Sequence, residues 1–134
     1  MRRFPPIYRF LLADDLPLWQ RQLRMHLLVT EFPNCDIVEV QTLAELLRIE
    51  KEGLFDVAVV KLQFPDGYTM DWFDQLSQRK SELRVIVQAR IPEDCLAVSP
   101  NIHGFVHSSD QMRMVVLAID CVLRNRIILT NKPQ

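Results

Sequence analysis

Glycine is nearly missing from this chain, with three in 134 residues. A loop that wraps the phosphates of a nucleotide needs glycines at fixed offsets, so neither a Walker nor a dinucleotide-binding loop is expected. No G-x-S-x-G elbow occurs either. Cysteine is scarce and odd in number: Cys35, Cys95 and Cys121, with no C-x-x-C spacing. That excludes a disulfide framework or a structural zinc site, and the thiols read as small apolar groups in a reducing cytoplasm. His26, His103 and His107 share no ligand spacing with one another or with a carboxylate, so no metal is expected. Sixteen basic and 17 acidic residues leave a net charge of −1. Without a basic excess, this stretch is not expected to hold DNA by itself. Long apolar runs are absent too. The opening MRRFPPIYRFLLADD is interrupted by Pro5, Pro6 and Arg9, too soon for a signal peptide or a membrane span.

What is present is alternation. Hydrophobic residues make up 49% and charged residues 25%, the balance of one globular domain. Ile7 to Ala13 is a mostly apolar strand. Asp15 or a neighbour can cap the helix that follows, with Pro17 in its first turn. Trp19, Leu23 and Leu27 then recur every four residues, with Gln20, Arg21 and Arg24 between them as the polar side. Cys35 to Val40 is a second strand. Thr42 and Glu45 form a capping box ahead of Leu43, Leu46, Leu47 and Ile49, and Gly53 is a stop. Phe55 to Leu62 holds a β-branched run suited to a strand covered on both faces. Phe64-Pro65-Asp66-Gly67 is a turn, and Asp71 to Gln78 is a short helix carrying Trp72, Phe73 and Leu76. Leu83 to Val87 is the fourth strand. Pro92 and Pro100 shorten or bend any helix between Ile91 and Ile102. Gly104 to His107 is the fifth strand. Ser109 or Asp110 caps a last helix reaching about Arg126, with Met114, Leu117, Ala118 and Cys121 inside.

Strands alternating with helices argue an α/β fold: a doubly wound, five-stranded parallel sheet in the flavodoxin-like order 2-1-3-4-5. Residues 1–126 form the domain, and 127–134 a tail or the start of a linker. In such sheets ligands sit beyond the carboxyl ends of the strands, at the switch point between the first and third. Asp14 and Asp15 land there from the first strand, and Lys61 from the third.

The residues at these junctions carry a resemblance that covers nearly the whole chain. LLADDLPLW, FDVAVVKLQFPDG, RVIVQAR and HGFVHSS together resemble the receiver domain of bacterial response regulators, most closely the subgroup joined to LuxR/NarL-type DNA-binding domains. The resemblance implies a degenerate phosphorylation site. Lys61 stands where the family carries its phosphoacceptor aspartate, Ala89 where it carries threonine or serine, and Ser108 where it carries lysine. Only the acidic pocket residues Asp14 and Asp15 persist, together with Phe105 at the position of the switch aromatic. Asp66 falls in the turn, where the resemblance gives it no acceptor role.

Each replacement has a chemical consequence. Phosphoryl transfer needs an oxygen nucleophile and cations to offset developing charge. Lys61 supplies an ammonium with no lone pair. Ala89 lacks a hydroxyl and Ser108 lacks a charge. Mg²⁺ takes oxygen ligands, and a fixed cation in the same cup repels it. Two arrangements are open to Lys61: an ion pair with Asp14 or Asp15 in place of the divalent ion, or exposure to water at the strand end.

Two functions follow. The first is a non-enzymatic module without a cofactor, a phosphorylation-independent pseudo-receiver that binds a protein partner or a second copy of itself in transcriptional regulation. DNA contact would come only through a C-terminal domain beyond Gln134, and the dimer could use the first and last helices, with Met25, Met112 and Val116 outward. The second is a sensor of a small ligand or nucleotide in the pocket bounded by Asp14, Asp15, Lys61 and Ala89.

Overall fold

A computed structural model describes residues 8–29, 32, 34–90, 100–108, 110–124 and 128–129. In chain order the elements are β1 (Arg9–Ala13), α1 (Pro17–Val29), β2 (Asp36–Val40), α2 (Leu43–Glu52), β3 (Val57–Lys61), β4 (Gln63–Phe64), β5 (Gly67–Tyr68), α3 (Met70–Gln78), β6 (Arg84–Ala89), β7 (Ile102–His107), α4 (Met112–Leu123) and β8 (Ile128–Leu129). The main sheet runs β2-β1-β3-β6-β7-β8, with every adjacent pair parallel. Its first five strands are the expected five in the expected order. Two features were not foreseen. Residues 128–129, assigned to the tail, pair with Gly104 and Phe105 as a sixth strand. The Phe64–Gly67 turn is flanked by two-residue strands, β4 and β5, which form a separate antiparallel hairpin. The segment on which the bent helix between Ile91 and Ile102 was expected lies largely outside the described residues.

The period of two within each strand sorts the core into two layers. Leu11, Ala13, Ala58, Val60, Val85, Val87, Ala89 and Phe105 meet α2 and α3 through Leu46, Trp72, Phe73 and Leu76. On the opposite face Phe10, Leu12, Val57, Val59, Ile86 and Val106 meet α1 and α4 through Leu23, Leu27, Val115, Ala118, Ile119 and Val122. Nearly every strand position is apolar because both faces are covered, the requirement of a parallel sheet.

Helix ends follow their local chemistry. Pro17 opens α1, where its missing N–H costs nothing. Thr42 Oγ1 accepts from the Glu45 amide at 3.1 Å, and Glu45 Oε1 accepts from the Gln41 amide at 3.0 Å, one residue earlier than a standard capping box would place it. Gly53 ends α2 in an extended conformation; a Cβ there would lie 3.0 Å from the Phe55 ring.

Three side-chain assignments are corrected. In α4 the buried set is Val115, Val116, Ala118, Ile119 and Val122, while Met114 and Cys121 are half-buried and Leu117 is exposed. Val116, expected outward, is therefore core. MVVLAIDCVL is apolar almost all round, so its periodicity could not set the phase. Asp110 does not cap α4. Its Oδ2 accepts from the His107 amide at 2.8 Å, and Gln111 stands at the N-cap position without a side-chain capping bond; Ser109, the other expected cap, lies outside the described residues. Gln20, read as part of the polar side of α1, is fully buried.

Candidate functional site at the carboxyl edge of the sheet

β1 and β3 end side by side, in register from Phe10↔Val57 to Ala13↔Val60. That alignment delivers Asp14 and Asp15 from one strand end and Lys61 from the next. Lys61 Nζ donates to Asp15 Oδ1 at 2.6 Å, so the ammonium is in an ion pair and not simply hydrated. Its partner is Asp15 rather than Asp14. The side chains remain 34% and 24% exposed. An ion pair this wet contributes on the order of 1 kcal/mol or less, well short of a buried bridge. Its significance is positional, because it fills the corner between the two strand ends with a resident cation.

Asp14 is 1% exposed. Its backbone amide donates to Val40 O at 3.1 Å, and its Oδ1 accepts from the Leu16 amide at 2.8 Å, turning the chain into α1. Desolvation pushes its carboxyl above the ordinary value of 3.8, outweighing the Leu16 hydrogen bond and the field of Lys61, which pull downward. The linkage sign follows. A carboxylate whose folded pKa is raised binds more protons in the native state, so its contribution to stability falls as pH rises from about the unfolded value through the folded one. Asp14→Asn keeps an oxygen for the Leu16 amide and removes the buried charge. It is expected to raise stability at pH 7, an advantage that shrinks as pH falls through the raised folded value and has closed by about 4, the unfolded value. Thermal melts of both proteins across that range check this.

The strand end that carries Lys61 is tied down on its other side as well. Thr69, fully buried, donates from Oγ1 and from its amide to Leu62 O, at 2.9 and 3.0 Å. At the tip of the intervening hairpin, Asp66 accepts from the Leu43 and Ala44 amides at 2.9 and 3.1 Å. These are first-turn N–H groups of α2, which have no intrahelical partner. The Leu43 amide foremost, with that of Ala44, holds the Asp66 carboxyl below its ordinary range. Gly67 at this tip has φ +147°, and a Cβ there would meet Leu43 Cδ2 at 2.8 Å, so the turn needs glycine.

Ala89 is buried at the end of β6, and its carbonyl accepts from the Ser108 amide at 3.0 Å, while the Ser108 side chain is exposed. Phe105 is 1% exposed, turned into the layer beneath α2 and α3. Gln88, in register with Lys61 across β3–β6, is buried, and its Oε1 has no hydrogen-bond partner among the described residues.

Sequence reasoning missed two buried polar centres. Gln20 Nε2 donates to Leu12 O at 2.9 Å and Val40 O at 2.7 Å, and its Oε1 accepts from Gln41 Nε2 at 2.7 Å. Glu50 accepts from Trp72 Nε1 at 3.2 Å and from Arg79 at 2.5 Å. The only advance signal was a polar residue one step from an apolar stripe, which most exposed helix positions share.

Mg²⁺ does not fit this corner. The Asp15 oxygen that would face such an ion is held by the Lys61 ammonium. Among the described residues no group of three His, Cys, Asp or Glu side chains is placed to hold a metal, and no helix is long and apolar enough to cross a membrane. Two large grooves open elsewhere. One lies between α1 and the start of α4, and the other at the amino-terminal pole of the sheet.

No protein-family model matches the chain, and no curated protein matches its sequence. Solved structures do match its fold. A LuxR-family two-component response regulator from Aurantimonas sp. SI85-9A1 superposes with a TM-score of 0.78 at 22% identity, over 94% of this chain and 91% of that one. The receiver domain of the putative response regulator NarL from Mycobacterium tuberculosis gives 0.78 at 20% identity, over 91% and 100%. RcsB, in a structure of two dimers bound to two parallel DNAs, gives 0.78 at 16% identity; the match covers 94% of this chain but 65% of RcsB. With its strand order, its two helical layers and its acidic pair at the switch point, the chain has the fold of the response regulator receiver domains.

Proposed function

We propose that this chain is a phosphorylation-independent, receiver-like module that works by binding protein, with a second copy of itself as the first partner, in transcriptional regulation. The observation that carries the reading is the 2.6 Å contact between Lys61 Nζ and Asp15 Oδ1. It puts a cation where the resemblance to receivers would put the acceptor carboxylate and its metal. Ala89 and Ser108 remove the hydroxyl and the charge that would receive a phosphoryl group. The module is then not an enzyme, and its state does not depend on an acyl phosphate.

A surface for a partner is available on the α1 side. Leu18, Met25 and Val29 follow one another at spacings of seven and four along α1, and are 65%, 58% and 76% exposed. Beside them Trp19, Met25 and Met112 line the groove against the start of α4. Exposed apolar side chains aligned in this way, with Gln22 and His26 among them, mark an association site, and a two-fold pair would bury the same face on both copies. RcsB is seen as dimers on DNA. By analogy this domain would bring copies together while a separate domain contacts DNA.

The test is solution mass against protein concentration, with and without Mg²⁺ and acetyl phosphate. Concentration-dependent dimerisation is expected to be unchanged by either addition, with no covalent adduct by mass spectrometry. Met25→Lys is expected to weaken the dimer at least tenfold, by placing a charge in the strip. Lys61→Asp alone is expected to stay unlabelled, since Ala89 and Ser108 remain. Robust labelling of the unaltered chain would defeat the proposal.

A further inference from the structure

At the pole of the sheet opposite Lys61, the C-terminal ends of α2 and α3 and the starts of β6 and β7 enclose a trough of about 1100 Å³. Its walls carry four cations, Lys51, Arg79, Lys80 and Arg84. Arg79 is neutralised by Glu50. Lys51, Lys80 and Arg84 have no carboxylate within ion-pair distance among the described residues. The other carboxylates at the trough are Asp56, which accepts from the neutral Arg9 amide, and Glu82, so three cations without an ion-pair partner face two carboxylates among the described residues.

Lys80 is placed against its own conformational preference. It has φ +53°, the left-handed region that favours glycine. The surrounding hydrogen bonds show why the backbone must bend there. Ser81 N donates to Leu76 O and Lys80 N to Ser77 O, both at 3.0 Å, the paired closure that ends a helix with a left-handed residue. Glycine would fill the position with less strain, and the chain holds a lysine there, facing the trough. A residue in a strained conformation that lines a groove points to a role for its side chain.

The arrangement also selects among anions. The Lys80 and Ser81 amides are used in the helix closure, and the Leu83 amide bonds Ser81 Oγ at 3.2 Å. This wall therefore offers no row of spare amides to cradle a compact phosphate. The three cations stand on three separate elements, the ends of α2 and α3 and the start of β6, as an extended ligand requires. Leu54, 87% exposed, and Phe55 add an apolar step at the lip.

We propose that this trough binds an acidic peptide segment of a partner protein, its carboxylates meeting Lys51, Lys80 and Arg84 and an apolar side chain resting on Leu54 and Phe55. The site is separate from the α1 strip and does not depend on the state of Lys61. Fluorescence anisotropy of a short labelled Glu/Leu peptide, titrated with the full chain at low ionic strength, tests it. The peptide is expected to bind, and added salt to weaken binding as screening shortens. Lys80→Gly is the informative variant, because it relieves the backbone: it should raise the melting temperature while weakening the peptide about fivefold. Lys51→Gln on exposed helix surface should weaken it similarly. Unchanged affinity in both variants would overturn the proposal, as would displacement of the peptide by equimolar inorganic phosphate or tighter binding of a DNA oligonucleotide.

Discussion

Glu50→Ala is expected to lower the stability of the domain by about 3 kcal/mol. Glu50 lies on the inner face of α2, 7% exposed, and joins that helix to α3 twice. One oxygen accepts from the Trp72 indole at 3.2 Å, and both face the Arg79 guanidinium, at 2.5 and 3.4 Å. Truncation leaves the indole N–H of a fully buried tryptophan without an acceptor and opens a hole beside it. Arg79 is 40% exposed and can turn to water, which keeps the cost at the lower end of the range for broken buried pairs. Glu50→Gln keeps one oxygen for Trp72 Nε1 and Arg79 Nη2 but loses the charge and sets an amide NH2 against Arg79 Nη1, so about half the effect is expected. Urea melts check this through a lower midpoint at unchanged slope. A loss below about 0.5 kcal/mol for the alanine variant would show that this contact between α2 and α3 is incidental.

Gln20→Met is the second large effect, expected at about 2 kcal/mol. Methionine keeps the volume but leaves three groups without the side chain they shared: the Leu12 and Val40 carbonyls and the Gln41 amide. Val40 O still receives the Asp14 amide, which limits the loss. The variant separates structure from site. It loosens the seat of Asp14 without touching Lys61 or Asp15, so amide exchange should speed up at Asp14 and Leu16 more than at the centre of β3. Uniform acceleration over the sheet would mean that Gln20 acts only through global stability.

These two residues also show where sequence reading stops. The strands were legible because a sheet covered on both faces demands near-continuous β-branched and aliphatic runs, as in Val57–Val60 and Val85–Val87. Their order was legible because parallel strands joined by helices leave few topologies. Asp14, Asp15 and Lys61 could be brought together in advance, since the ends of adjacent strands are fixed by the same topology. The choice of Asp15 over Asp14 was not legible. It depends on Asp14 being turned inward by its bond to the Leu16 amide, a matter of one side-chain torsion. Gln20 was placed on the polar side and Glu50 was passed over because a polar residue beside an apolar stripe is normally hydrated; only the three-dimensional positions of Val40 O and Trp72 reveal a use for them. In α4 an excess of apolar residues hid the phase, and Val116 went to the wrong side. The role of Asp66 was hidden by distance, as its partners are more than 20 positions earlier.

The Gln63–Tyr68 hairpin works as a tie-rod. One end is bolted to the strand terminus by Thr69, and the other grips the start of α2 through a single carboxylate. A pull on α2 is therefore felt at the residue after Lys61, and acid that neutralises Asp66 slackens the linkage without reaching the core. Any force that shifts the backbone at Leu62 would have to drag a helix along with it.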